Sequence, residues 1–225
     1  MAQRGVAVTG EVYQLRVVLA GISPLVWRRL LVAAETSIAG LHEILQTAFG
    51  WSDEHLHRFT IHAVEYGLWR PGSAGFSRDA RQVRLDSFGL RRGERFTYEY
   101  DFTAGWRHDI RVEEILPRSA RRRYPACSGG ARQAPPEHFG SPEEFLALLQ
   151  RWPPALIAIR MAEIISDLMD ADGDAPAAEV IGERRDELAR LLDLARLDKL
   201  DRAALNSALQ ALDSIPESVS DGRKQ

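Results

Sequence analysis

Polar and apolar residues change period several times along this chain, and each change marks an element. In "VYQLRVVLAG", Tyr13, Leu15, Val17 and Leu19 alternate with Gln14, Arg16 and Val18, the period of a strand. Gly21-Ile22-Ser23-Pro24 breaks that run. "LVWRRLLV" then predicts a second strand, with Val26, Leu30 and Val32 on one face and Trp27, Arg29 and Leu31 on the other. In "TSIAGLHEILQTAFGW" the apolar positions Ile38, Leu41, Leu45, Ala48 and Phe49 recur every three or four residues, which predicts a helix. Thr36 or Ser37 is placed to cap it and Gly50 to stop it. "HRFTIHAV" resumes alternation, and residues 67–82 form a loop rich in glycine, serine and arginine.

The stretch "FTYEYDFTAGWRHDI" carries the densest pattern. Phe96, Tyr98, Tyr100 and Phe102 share one face, and Trp106, His108, Ile110 and Val112 continue it after a turn at 103–105. That is a hairpin with an aromatic face turned to a core. A long loop spans 117–140. Ser141 as N-cap, Pro142 at the first helical position and Glu144 three residues after the cap open the next helix. Helical patterns over 155–169, 178–197 and 201–213 follow. The predicted fold is α+β: an antiparallel sheet with packed helices over 10–150, a helical extension over 151–215, and a polar tail over 216–225.

Composition changes this picture little. The chain has 225 residues, 45% hydrophobic and 27% charged, with a net charge of −3. Residues 1–150 hold 19 arginines against 17 acidic groups, and residues 151–225 hold 10 basic against 15 acidic groups. Neither part is a strongly basic footprint for nucleic acid. No stretch has the roughly 18 apolar residues of a membrane span, and "MAQRGVAVTG" lacks a signal-type apolar run. These features predict a cytoplasmic protein that does not enter a membrane. Cys127 is the single cysteine, which excludes an internal disulfide and a cysteine cage for zinc.

Three segments resemble one family: "YQLRVVLAGISPLVWRRLLVAAETSIAGLHEILQTAFGWSDEHLHRFTI", "FTYEYDFTAGWRHDI", and "YPACSGG" followed by "PPEHFG". Together they resemble the plasmid pRiA4b ORF-3-like family, whose members include passenger TnpR-like proteins of insertion sequences. The resemblance spans residues 12–149. It implies an α+β domain on an antiparallel sheet and an association with plasmids or mobile elements, and it implies little about activity. Nothing here resembles a serine recombinase. The chain departs from the family pattern at Thr103-Ala104, where Gly-Asp is usual, and at Ala134 and Phe139, where cysteines are usual. His138 stands where the family has aspartate. A metal site built on those cysteines would be lost here. The helices beyond 150 are expected to be an addition to the family domain.

Two function classes stay open. The first is a binding module, an accessory of mobile or plasmid-borne DNA that contacts nucleic acid or a protein partner. Arg118, Arg121, Arg122 and Arg123 are its candidate phosphate contacts, with Trp69 or Trp106 to stack on bases. The second is a metal-dependent hydrolase. His55 and His57 lie two apart, and with Asp101 and His108 they form a histidine-plus-carboxylate set suited to a divalent metal such as zinc, manganese or iron. His55, His57 and His108 are the candidate ligands, and no local spacing matches a known metal motif.

Structural readings stand beside these. His57 and His108 fit a buried sheet face, and His42 fits a packed helix position that donates one ring proton. Asp101 is suited to binding turn amides. Cys127 lacks a nucleophile signature. "DADGD" at 170–174 has glycine fourth rather than sixth, so it is a linker and not a calcium loop. The apolar stripes of Val180, Leu188, Leu191, Leu192 and Leu194, and of Leu205, Leu209 and Leu212, predict a homodimer through the C-terminal helices.

Overall fold

The computed structural model describes residues 10–67, 78–170 and 177–212. Trp69, most of the acidic linker and the polar tail fall outside these residues. The sequence alternation becomes strands β1 (Glu11–Leu19), β2 (Trp27–Ala33), β3 (His57–Ile61), β4 (Val64–Gly67), β5 (Arg78–Asp79), β6 (Arg95–Tyr100), β7 (Trp106–Pro117) and β8 (Ala126–Ala131). They form one sheet in the order β5-β4-β3-β6-β7-β1-β2-β8, antiparallel except for the short β4–β5 pairing. The helices are α1 (Ile38–Phe49), α2 (Pro142–Arg151), α3 (Pro154–Asp170), α4 (Ala177–Arg196) and α5 (Arg202–Leu212). The fold class is α+β, as the periodicity predicts.

Register puts one face of the sheet in the core. Leu15 pairs with Leu30 and Val112, Val17 with Ile110, Tyr98 with His108 and Phe59, and Tyr100 with Trp106. All of these side chains are buried. Apart from a small buried cluster of Val12, Leu31 and Tyr124, the opposite face is polar and laced with cross-strand ion pairs, among them Arg29–Glu113 at 2.5 Å and Arg58–Glu99 at 2.6 Å. Helix α1 contributes Ile38, Leu41, Ile44, Leu45 and Phe49 to the buried layer. Ser37 caps its start, accepting from the Gly40 N–H at 3.0 Å, and Gly50 ends it at φ 73°, a left-handed conformation open to glycine.

Three differences from the sequence reading appear, two with local causes and one with distant partners. The strand expected to run through Phe102 ends at Tyr100. There Asp101 turns left-handed at φ 52° and accepts from the Thr103 and Ala104 amides, so Phe102 is exposed and lies against Arg58. "HRFTIHAV" is not one strand, because His62 and Ala63, both at positive φ, make a two-residue turn between β3 and β4. The third is Arg28, which shares the buried face with Leu30 and Val32. Its guanidinium donates to the carbonyls of Ala48 at the end of α1, Trp27, and Ala131 on β8. Burial lowers its pKa to about 10, which leaves it charged at neutral pH.

The C-terminal helices divide between two clusters. α3 and α4 pack on each other through Ile157, Ile164 and Leu191, with Leu188 and Leu194 against them. α5 returns to the sheet, burying Leu205 and Leu209 in the main core beside α1. Its Asn206 side chain accepts from the Cys127 N–H at 2.7 Å and donates to the Cys127 carbonyl at 3.0 Å, pairing with the edge strand β8 as another strand would. The described stripes of α4 and α5 are therefore largely covered within the chain. No helix among the described residues is long and apolar enough to cross a membrane.

Arg28 yields a direct stability test. Arg28→Met keeps the apolar stem but leaves the Ala48 and Ala131 carbonyls without their donor. The expected loss is about 3 kcal/mol, at about 1–3 kcal/mol for each buried unsatisfied group, read from the urea-denaturation midpoint. An unchanged midpoint would show that those carbonyls do not depend on the guanidinium.

Candidate functional site

The buried face of α1 carries two polar side chains one turn apart, His42 and Gln46. In an apolar layer each must find partners, and both find them on β6 and in the loop that follows α1. Asp53 N–H donates to Gln46 Oε1 at 3.1 Å, which fixes the Gln46 amide. Gln46 Nε2 then donates to the Tyr98 hydroxyl at 2.8 Å. Burial raises the Tyr98 pKa well above its usual value, so the phenol keeps its proton and turns it toward His42 Nδ1, 2.8 Å away. That leaves the His42 ring proton on Nε2, which donates to Asp53 Oδ1 at 2.9 Å. The four residues close a ring of hydrogen bonds joining α1, β6 and the 51–56 loop.

His57, at the start of β3, stacks on His42 with ring centroids 3.5 Å apart and planes 12° from parallel. Donor atoms of His42, Asp53 and His57 lie within 4.8 Å of one another, the one such set of histidine, cysteine or acidic residues among the described residues. Both histidines are buried, while the Asp53 side chain is 43% exposed. Asp53 holds φ 59°, a conformation that aspartate tolerates better than most residues.

Glu137, from "PPEHFG", pins the same loop. It accepts from the Ser52 amide and hydroxyl, from the Glu54 amide and from the Tyr100 hydroxyl. Burial pushes its pKa up, but these hydrogen bonds outweigh it and hold the carboxyl below its usual range. Trp51 Nε1 donates to the Pro135 carbonyl at 2.9 Å, a second tie between the two segments.

The residues singled out from sequence occupy several places. His57 joins His42 and Asp53. His55 and Asp101 face each other at 3.8 Å near the surface and join no triplet of potential ligands among the described residues. His108 is fully buried among Phe49, Trp51 and Tyr98, and neither of its ring nitrogens makes a hydrogen bond of normal geometry. Burial lowers its pKa to about 3, with the nearby backbone of Tyr98 and Trp106 acting the other way. Trp106 is fully buried, out of reach of a base.

Arg118 pairs with Glu35 and lies over Tyr124, whereas Arg121, Arg122 and Arg123 are exposed without an ion-pair partner among the described residues. Cys127 is buried, its thiol donating to the Gly129 carbonyl and its pKa raised by burial. Sequence reasoning passed over Asp53 and Glu137, and it gave His42 one hydrogen bond where it makes two. The usable signal was the four-residue spacing of His42 and Gln46 beside an apolar stripe.

A second concavity shares no residue with the hydrogen-bonded ring. A cavity of about 660 Å³ opens between the Gly21–Val26 segment, α2 and the α3–α4 pair. Ile22, Phe145, Leu149, Trp152, Ile157 and Met161 line it, and the paired Arg132 and Asp198 stand among its few polar groups.

An antiparallel sheet with one helix-covered face defines an α+β domain class, and the comparisons place it. The chain belongs to the plasmid pRiA4b ORF-3-like protein family, whose model matches residues 11–154. It is 36% identical over 137 residues to the uncharacterized protein y4hQ of Sinorhizobium fredii, covering 59% of this chain and 68% of that protein. A crystal structure of the protein of unknown function MM3350 from Methanosarcina mazei Go1 is similar, with a TM-score of 0.62 at 25% identity. That likeness covers 87% of this chain and 98% of the other. An overlap of that size must include much of the helical extension, so the extension is not peculiar to this chain.

His108 makes acid stability a readout of the core. Its folded pKa of about 3 lies below the unfolded value near 6.5, so the unfolded chain binds the extra proton between those limits. The stability from keeping His108 neutral is complete above about pH 6.5 and declines as pH falls toward 3. His108→Leu fills similar space without buried unpaired nitrogens. It should match or exceed the parent in stability at neutral pH and show a flatter acid limb in denaturation midpoints taken across this range. A steeper limb, or a large loss at neutral pH, would contradict the assignment.

Proposed function

We propose that this protein is a binding module for a protein partner, and that an apolar helical segment of the partner lies in the groove between α2 and α3. The observation that carries this reading is the 660 Å³ cavity with its largely apolar lining. The apolar surface continues beyond the groove. Leu25, Leu156 and Ile159, sequence neighbours of the lining residues Pro24, Ile157 and Ala158, are about half exposed. A small ligand would fill the cavity and leave that rim wet, whereas a helix with anchors three and four residues apart covers both. The amides of Gln133 and Gln150 and the Arg132–Asp198 pair offer hydrogen bonds to the polar edge of such a segment. Nucleic acid is the competing partner class. Its support is confined to Arg121–Arg123, since Arg118 is already neutralised by Glu35. The association of the family with plasmids is compatible with either.

Anisotropy titrations with a set of labelled amphipathic helical peptides, alongside a labelled DNA duplex at low salt, test this. At least one peptide should bind. Leu156→Glu and Ile159→Glu, both at exposed positions, should weaken it about tenfold or more, equivalent to about 1.4 kcal/mol, with unchanged melting temperatures. Binding of the duplex alone, lost when Arg121–Arg123 are neutralised, would replace this reading with a nucleic-acid module. Sedimentation as a dimer that either glutamate variant dissociates would assign the surface to a second copy instead.

A further inference from the structure

We infer that a row of arginines across the outer face of the sheet binds an acidic peptide segment of a partner protein. Register sets Arg29 on β2 opposite Arg16 on β1, Arg16 opposite Arg111 on β7, and Arg111 opposite Arg95 on β6. Their strand neighbours Leu30, Leu15, Val17, Ile110, Val112 and Phe96 are buried, so the four cations stand side by side on the face turned away from α1 and α5. Like charges directly opposite one another destabilise a sheet. The same face avoids them elsewhere, where Glu99 lies between Arg58 and Arg107. Of the four, Arg29 alone has an ion-pair partner among the described residues, Glu113. Arg16 lies over the Trp27 ring, and Arg95 and Arg111 are exposed. The row therefore carries positive charge that the described residues leave uncompensated.

The charge pattern selects the occupant. Strands about 4.8 Å apart make the row about 14 Å long, and an extended segment with acidic residues at alternate positions presents three carboxylates over about 13 Å. Each carboxylate can accept a two-pronged hydrogen bond from a guanidinium. The positive strip is narrow along the strands, because Asp109 and Glu113 stand two residues to either side of Arg111 on β7. Both are already engaged, Asp109 by Arg107 and Glu113 by Arg29 and Gln14. A single peptide strand fits between them, whereas a duplex would set its phosphates against them. Trp27, the ring beside the row, already lies under the guanidinium groups of Arg16 and Arg29, which compete with any base for it. The row shares no residue with the groove, so this proposal and the groove reading can fail separately.

The test is an anisotropy titration of full-length protein against a labelled peptide of alternating glutamate and serine, at low and at raised salt. The peptide should bind saturably and weaken as salt rises, and its counterpart of glutamine and serine should not bind. Arg95→Gln and Arg111→Gln together should weaken binding about tenfold or more, with a melting temperature equal to or above the parent's because like-charge pairs are removed. Arg95→Glu with Arg111→Glu should exchange the preference for a peptide of lysine and serine. Leu156→Glu, in the groove, and neutralisation of Arg121–Arg123 should each leave the acidic peptide bound as in the parent. Absence of salt-sensitive binding would overturn the assignment. So would parent-like affinity in the Arg95→Gln, Arg111→Gln protein, or an equal loss on neutralising Arg121–Arg123. Tighter binding of a single-stranded or duplex oligonucleotide, lost in the same double variant, would give the row to nucleic acid instead.

Discussion

Helix α1 carries two polar side chains into an apolar layer, and the need to satisfy them organises the domain around it. An unpaired buried polar group costs about 1–3 kcal/mol, so His42 and Gln46 are tolerated only where partners stand ready. Tyr98 supplies one from the sheet and Asp53 the other from the loop. A helix satisfied on both sides can neither slide along the sheet nor rotate without breaking the ring. The aromatic face of β6 and β7 then packs against a fixed surface. The 51–56 loop is held at its start by Gln46 and along its length by Glu137, which brings the distant "PPEHFG" segment to the same end of the sheet.

Arg28 plays a matching part at the C-terminal end of α1, from the β2 and β8 side. A buried cation without a carboxylate costs desolvation, and this one is satisfied by carbonyls of α1, β2 and β8. Ala48 lies in the last turn of α1, where the carbonyls lack helical partners and the helix dipole is negative. The guanidinium thus does for the helix end what a capping side chain does, and it also fastens the edge strand. The C-terminal half of one short helix is thus secured by polar groups from two directions, and apolar contacts hold the rest of it.

The parts of this arrangement that were legible in the sequence are those set by short-range periodicity. The β1–β2 and β6–β7 hairpins, α1 with Ser37 and Gly50, and the Ser141-Pro142 helix start each depend on a few neighbouring residues. Features set by long-range partners were not legible. Arg28 sits in an alternating strand, and nothing local says that its position is occupied by a charge in search of carbonyls twenty or more residues away. Asp53 looks like a loop acid until α1 and β6 are in place. His57 was singled out in the sequence but its neighbours were not placed beside it, because His42 comes from a helix read as packing and Asp53 from a loop read as a connection. Phe102 fails for a local reason, since the left-handed backbone at Asp101 ends the alternation one residue early.

The helical segment is joined to the sheet by hydrogen bonding as well as by apolar contact. Asn206 satisfies both backbone groups of Cys127, Arg202 donates to the Ser128 carbonyl, and the Gln133 amide donates to the Leu197 carbonyl. These contacts fix the end of α4 beside β8, and α4 in turn holds α3 over α2. The groove is therefore shaped on one side by the family domain and on the other by helices clamped to its edge strand. The ring of His42, Gln46, Asp53 and Tyr98 lies wholly within residues 11–154 and owes nothing to α3 or α4. Substitutions in the helical pair can reshape the groove without disturbing that ring, so the two features are free to diverge separately on one scaffold.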